Sequence, residues 1–181
     1  MLTCKCGFRS NKKEHLKNKY LILCVDDEPE VLNSVLQDLA PFEENFIVEG
    51  AESVDEAKQV IKEMGQDGIK LALILCDHIM PDKTGIDFLI ELNQHDSTQP
   101  TRKLLLTGQA GLEDTVTAIN NAALDFYISK PWRGDQLRDT ITKQLTDFVI
   151  ANDKQLLNWT SILDTERILT AMANKRTSFG E

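Results

Sequence analysis

Residues 71–85, Leu-Ala-Leu-Ile-Leu-Cys-Asp-His-Ile-Met-Pro-Asp-Lys-Thr-Gly, decide the fold. Leu71 to Cys76 is an unbroken apolar run, too short to span a bilayer and without the alternation of a strand that keeps one face in water. A run of this kind, closed by an acidic residue and a Pro/Gly-rich turn, predicts a strand buried on both faces. The turn leads into helical spacing from about Ile86 to Gln94, and strand-then-helix is the unit of a parallel sheet.

The same unit recurs outward in both directions. Strands are predicted over Tyr20–Val25, Phe46–Ala51, Lys103–Thr107 and Asp125–Ser129. Pro29 sits just inside a first helix, with Pro41 after it. Ser53 and Glu56 form a capping box for a second, which Gly65 and Gly68 are expected to close. A fourth helix is expected from about Glu113 to Ala122 and a fifth from Gly134 or Asp135. The resulting βαβαβαβαβα order predicts an open, doubly wound five-stranded parallel sheet. Right-handed crossovers place its ligand crevice at the carboxyl ends of the strands, where the winding reverses.

Leu137, Ile141, Leu145, Phe148, Leu156, Trp159 and Leu163 continue at four- and three-residue steps, with a gap at Asn152. The phase breaks at Asn152-Asp153 and shifts again near Ile168-Leu169. An extended last helix followed by a second one is therefore expected rather than one long coiled coil, its apolar stripe packing on its own domain or on a second copy. The organisation read from the chain is a basic amino-terminal arm over 1–19, a globular unit over 20–150, and a helical extension or linker over 151–181 of the kind that leads to an effector domain.

Of 181 residues 41% are hydrophobic and 27% charged, ordinary for a globular chain with its own core. The net charge is -9, yet residues 1–19 hold six of the twenty basic side chains and one of the twenty-nine acidic ones. The remainder is strongly acidic and repels phosphate backbones, so no direct nucleic-acid binding is expected. Nor is a membrane anchor read. The amino terminus lacks the apolar segment of a secretory signal, and the expected location is the cytoplasm. Cys24 and Cys76 lie in apolar runs and read as buried small hydrophobes. Cys4 and Cys6, with His15, lack the spacing and the fourth ligand of a zinc site.

Four polar features fall at predicted strand ends: Asp26-Asp27, Asp77, Thr107 and Lys130. Three carboxylates in one crevice repel one another unless a cation sits among them, and an oxygen-only cluster suits a hard ion such as Mg²⁺. Lys130 adds a fixed positive charge, Thr107 a hydroxyl, and Gly108 room for an anion near a backbone N–H. Together they suit a group with three anionic oxygens, as in phosphoryl transfer. His78 neighbours Asp77 but points to the opposite face of a strand, so no catalytic role is assigned to it.

Leu-Cys-Val-Asp-Asp-Glu (23–28), Asp-His-Ile-Met-Pro-Asp-Lys-Thr-Gly (77–85), Leu-Leu-Leu-Thr-Gly (104–108) and Tyr-Ile-Ser-Lys-Pro-Trp (127–132) resemble, in order, the receiver domains of two-component response regulators. The resemblance covers about residues 20–150. It implies a flavodoxin-like strand order 2-1-3-4-5 and a signalling switch rather than a separate enzyme. Asp77 would be the nucleophile that takes a phosphoryl group from a sensor histidine kinase or a histidine phosphotransfer domain. It further implies that Asp27, Asp77 and the Ile79 carbonyl bind Mg²⁺ directly and Asp26 through water, and that Lys130 and Thr107 meet the phosphoryl oxygens. Tyr127 would follow Thr107 inward, remodelling the surface of the fourth helix, fifth strand and fifth helix. That surface, or the carboxyl-terminal helices, would support a homodimer. Two other readings compete with this one. A haloacid-dehalogenase-type phosphohydrolase needs a second Asp two residues after the nucleophile, where this chain has Ile79. A receiver-like binding module that works without phosphorylation would not need the full set of polar residues found here.

Overall fold

A computed structural model of the chain describes residues 20–108 and 122–177. Five parallel strands, β1 (Tyr20–Val25), β2 (Ile47–Ala51), β3 (Lys70–Asp77), β4 (Arg102–Thr107) and β5 (Phe126–Ser129), form one sheet in the order β2-β1-β3-β4-β5. Two apolar layers cover it. Ile22 and Cys24 of β1 enter one layer, while Leu21, Leu23 and Val25 enter the other, as the two-residue period of a strand requires. The register between β1 and β3 shifts between Leu21 and Ile22, which leaves Ala72 without an opposite residue. Ala72 and Leu73 therefore face the same layer before alternation resumes at Ile74.

The helix ends follow local chemistry. In α1 (Pro29–Leu39) proline occupies the first turn, where no N–H is needed, and Pro41 comes after the helix, inside a 3₁₀ turn, Ala40–Phe42, that continues from it. At the start of α2 (Val54–Gln66) the Glu56 N–H donates to Ser53 Oγ at 3.2 Å, and the Glu56 carboxylate accepts from the Glu52 N–H at 2.7 Å, one residue before the position an ideal capping box would use. Gly65 is still helical. Closure belongs to Gly68, whose φ of 77° lets the Gly68 and Ile69 amides turn back to the carbonyls of Gly65 and Met64. Thr84 caps α3 (Gly85–Asn93) by accepting from the Asp87 N–H. The basic arm with Cys4, Cys6 and His15, and all but the last residue of the helix expected over Glu113–Ala122, lie outside the described residues.

After β5 a long helix runs over Gly134–Asn152, followed by a 3₁₀ turn at Leu156–Trp159 and a terminal helix over Thr165–Thr177. Leu156, Trp159, Leu163 and Ile168 are buried in the same apolar layer as Ile22, Leu73 and Leu104, so the extension packs on the sheet of its own chain. Its anchor is the Asp153 carboxylate, buried where the helix breaks, which accepts from Tyr20 O–H at 3.2 Å and Trp159 Nε1–H at 3.0 Å. The Trp159 ring lies 4.9 Å from that of Phe46, and Tyr20 meets Phe148 edge-on at 5.2 Å. Among the described residues no helix is long and apolar enough to cross a membrane.

Burial, then the facing Asp153 carboxylate, pushes the Tyr20 phenol up to about 12 from 10.0. A proton held more tightly in the folded state stabilises the fold fully below the unfolded value and is lost as pH rises through the folded one. Unfolding free energy is therefore expected to fall between about pH 10 and 12, and Tyr20→Phe to flatten that part of the profile; urea titrations of both chains across this range check it.

Candidate functional site

The carboxyl ends of β1, β3, β4 and β5 meet at one rim. The ladders of β1, β3 and β5 run one bond past the strand end. Asp26 N–H donates to the Ala51 carbonyl at 3.1 Å, His78 N–H to Leu106 at 2.9 Å and Lys130 N–H to Thr107 at 2.8 Å. The backbone at Asp26, His78 and Lys130 is thus held by the neighbouring strand rather than by its own loop.

From that frame the Lys130 ammonium reaches Asp26 Oδ2 at 2.7 Å and Asp77 Oδ1 at 2.6 Å. The second oxygen of each carboxylate is occupied locally. Asp26 Oδ1 accepts from the Glu28 N–H at 3.0 Å and Asp77 Oδ2 from the Ile79 N–H at 2.8 Å. Asp26 and Asp77 are 1% and 5% exposed. Two carboxylates so far from water repel strongly, and the ammonium between them is what makes the pair tolerable. Burial alone would push Lys130 down, but the hydrogen bonds and charges of Asp26 and Asp77 outweigh it and hold the ammonium above its ordinary value.

Thr107 is buried at the same rim, and its Oγ1 has no hydrogen-bond partner among the described residues. A buried hydroxyl left unpaired costs about 1–3 kcal/mol, which a visiting acceptor would recover. Gly108 is exposed, and a Cβ there would meet nothing within 4 Å. Asp27 is half-buried one residue past Asp26, while Ile79 is 69% exposed on the outer lip. Tyr127 is half-exposed on β5, turned to solvent. Gln109 and the rest of its loop lie outside the described residues.

Among the described residues no group of three or more His, Cys, Asp and Glu side chains is gathered closely enough to hold a metal ion. Two carboxylates rather than three converge, and Lys130 supplies the positive charge between them. The donor set still fits a hard divalent cation. It is oxygen-only, and the Asp26 and Asp77 carboxylates already share one positive charge at a rim that Asp27 adjoins. Cys24 and Cys76 are free and buried, and burial raises both thiols, Cys24 to about 12, so neither offers a thiolate.

One residue without an assigned role proves to be structural. A Cβ on Gly85 would stand 1.9 Å from the Asp77 carbonyl oxygen, so α3 can begin against the end of β3 only because residue 85 is glycine. The signal was present as the Thr-Gly pair that closes the turn. Gly85→Ala is expected to cost at least about 3 kcal/mol, since backbone rather than a side-chain tip must move; a lowered urea midpoint checks it.

The model of the response regulator receiver domain matches residues 22–142, and the chain belongs to that family. It is 32% identical over 120 residues to the hydrogenase transcriptional regulatory protein HoxA of Cupriavidus necator, covering 66% of this chain and 23% of that protein. The chain thus spans about a quarter of the length of that curated relative. It is 26% identical over 167 residues to a probable cyclic di-GMP phosphodiesterase of Vibrio cholerae, covering 90% of this chain and 35% of the relative. A CheY-like response regulator receiver domain protein from Methanospirillum hungatei superposes with a TM-score of 0.61 at 30% identity, covering 71% of this chain and 95% of that one. Receiver domains are signalling modules of two-component systems, and phosphoaspartate and Mg²⁺ are typical of the family.

Proposed function

We propose that this chain is a switch that accepts a phosphoryl group on Asp77 from a histidine kinase or histidine phosphotransfer domain and passes the change to an output domain or partner. The observation that carries the reading is the Lys130 ammonium held between Asp26 and Asp77, from three different strand ends. An Asp77 carboxylate oxygen forms a bond to phosphorus as the P–N bond of the donor phosphohistidine breaks, its electron pair leaving with the imidazole. The product is an acyl phosphate on Asp77. Mg²⁺, held by Asp26, Asp27, Asp77 and the Ile79 carbonyl, would neutralise the phosphoryl oxygens as they arrive.

The chain's own groups do the rest. Lys130 trades its contact with the Asp77 carboxylate for a phosphoryl oxygen. The unpaired Thr107 hydroxyl donates to another, and the Gly108 N–H stands beside it. Tyr127 then turns inward and alters the surface around β5 and the long helix, a local charge event biasing a two-state packing element. In this reading 1–19 is a basic arm, 20–150 the receiver and 151–181 the path to an effector, in a protein that works in the cytoplasm and pairs with a second copy through the surface around β5 or through the carboxyl-terminal helices.

Incubation with acetyl phosphate and Mg²⁺ is expected to add one phosphoryl mass to the intact chain and none to Asp77→Asn. A folded wild-type chain that gains no mass, or an Asp77→Asn chain that gains it equally, refutes the proposal.

A further inference from the structure

The Asp38 carboxylate, half-buried near the end of α1, accepts from two groups that follow Lys130 in the chain. Trp132 Nε1–H donates to Oδ2 at 2.9 Å and the Arg138 guanidinium to Oδ1 at 3.3 Å. The carboxylate also lies against the first residue of the long helix, where a Cβ on Gly134 would stand 2.3 Å from Asp38 Oδ1. Glycine at that position lets the acid approach the helix start, whose dipole and free amides favour a negative charge. The long helix has no side-chain cap of its own from Arg133. Three features of one loop and helix start therefore converge on a single acid from another helix.

Lys130 is the residue this arrangement reaches. On its amino side its N–H is tied to the Thr107 carbonyl at 2.8 Å. On its carboxyl side only Pro131 separates it from Trp132, and the proline ring removes the φ freedom that would let the two residues move independently. The Trp132 ring packs against the apolar layer while its N–H is held by Asp38, so both its position and its rotation are determined. An ammonium on a four-carbon stem reaches Asp26 and Asp77 together only if its Cα is held in place.

We propose that Asp38, acting through the Trp132 indole, is a positioning residue for Lys130, and so regulates how fast Asp77 takes up a phosphoryl group. The role rests on the reading of Asp77 as phosphoacceptor. Neither Asp38 nor Trp132 touches the reacting atoms. Trp132→Phe keeps a six-membered aromatic ring but loses the pyrrole ring with its N–H; Asp38→Asn keeps an oxygen acceptor for the indole; Asp38→Ala keeps nothing.

The test uses the whole 181-residue chain, with acetyl phosphate as donor and each variant's cooperative unfolding verified first. The maximal rate of Asp77 phosphorylation is expected to fall about tenfold in Asp38→Ala and in Trp132→Phe, without a change in the half-saturating donor concentration. The double variant should fall no further than either single one, and Asp38→Asn should stay within about twofold of wild type. Beryllofluoride binding, followed by isothermal titration calorimetry, should weaken by a similar factor in the two impaired variants. Folded Asp38→Ala and Trp132→Phe chains that match an active wild type overturn the positioning role alone, as does an Asp38→Asn chain as impaired as Asp38→Ala. A wild-type chain that accepts no phosphoryl group overturns the reading of Asp77 and this role with it.

Discussion

Lys130→Met is expected to cost about 3 kcal/mol of stability in the absence of divalent cation, and at least about a hundredfold in the rate of phosphoryl uptake. Lys130 Nζ stands 2.7 Å from Asp26 and 2.6 Å from Asp77, and both carboxylates are withdrawn from water. Methionine fills a similar volume and carries no charge, leaving two carboxylates face to face, and removal of one partner from a buried ion pair is far more costly than the pair itself is favourable. Because the folded state holds the Lys130 proton more tightly than the unfolded state, its contribution is complete at neutral pH and is lost only as pH rises through its raised value, above the ordinary 10.5. The gap between wild type and variant should therefore be flat through neutral pH and close in strong alkali. Mg²⁺ should raise the urea midpoint of the variant more than that of wild type, because a divalent ion restores the missing charge. A variant as stable as wild type in EDTA would contradict this account of the site. Lys130→Arg should not restore phosphorylation, since a planar guanidinium does not occupy the position of a compact ammonium.

Truncation after Ile150 should have the larger effect on folding. It removes Asp153, Leu156, Trp159, Leu163 and Ile168, and exposes Tyr20 and Phe46 on the sheet face they cover. Loss of one buried tryptophan alone costs about 3–5 kcal/mol, and three further buried aliphatic side chains leave with it, against a typical margin of about 5–15 kcal/mol for a whole domain. The shortened chain is expected to lose cooperative unfolding and to associate through the exposed face, as calorimetry and sedimentation would show. Trp159→Ala should lie between, still folded but with a lowered midpoint. A truncated chain that melts sharply at the wild-type temperature would mean that 151–181 is a separable appendage, as its sequence position suggests, and not part of the receiver's core.

Much of the scaffold was legible because each cue acts locally. β1 spans the residues its apolar run marked, and the other strands lie within one residue of expectation at each end. Pro29 at a helix start and Ser53 as a cap are decided by one or two nearby bonds, so their neighbours in sequence suffice to read them. Pro41 follows the first helix as expected, whereas Gly65, expected to help close the second, lies inside it. A 3₁₀ turn tolerates Pro41, and a glycine with ordinary helical angles does not end a helix; the left-handed residue, Gly68, does. The site was legible in kind, since an acidic or basic residue directly after an apolar strand has to emerge at the strand's carboxyl end.

The amino-acid sequence by itself determined the parallel sheet and the set of polar residues at its rim, because strand period and turn residues are short-range constraints; the strand order followed from the resemblance to receiver domains. Only the tertiary structure decided that Lys130 bridges Asp26 and Asp77, that the Thr107 hydroxyl has no partner among the described residues, that Asp38 grips Trp132, and that Asp153 binds the extension to β1. These contacts join residues up to 133 positions apart. Their geometry depends on how helices and sheet pack in three dimensions, and no local pattern along the chain encodes a distance of that kind.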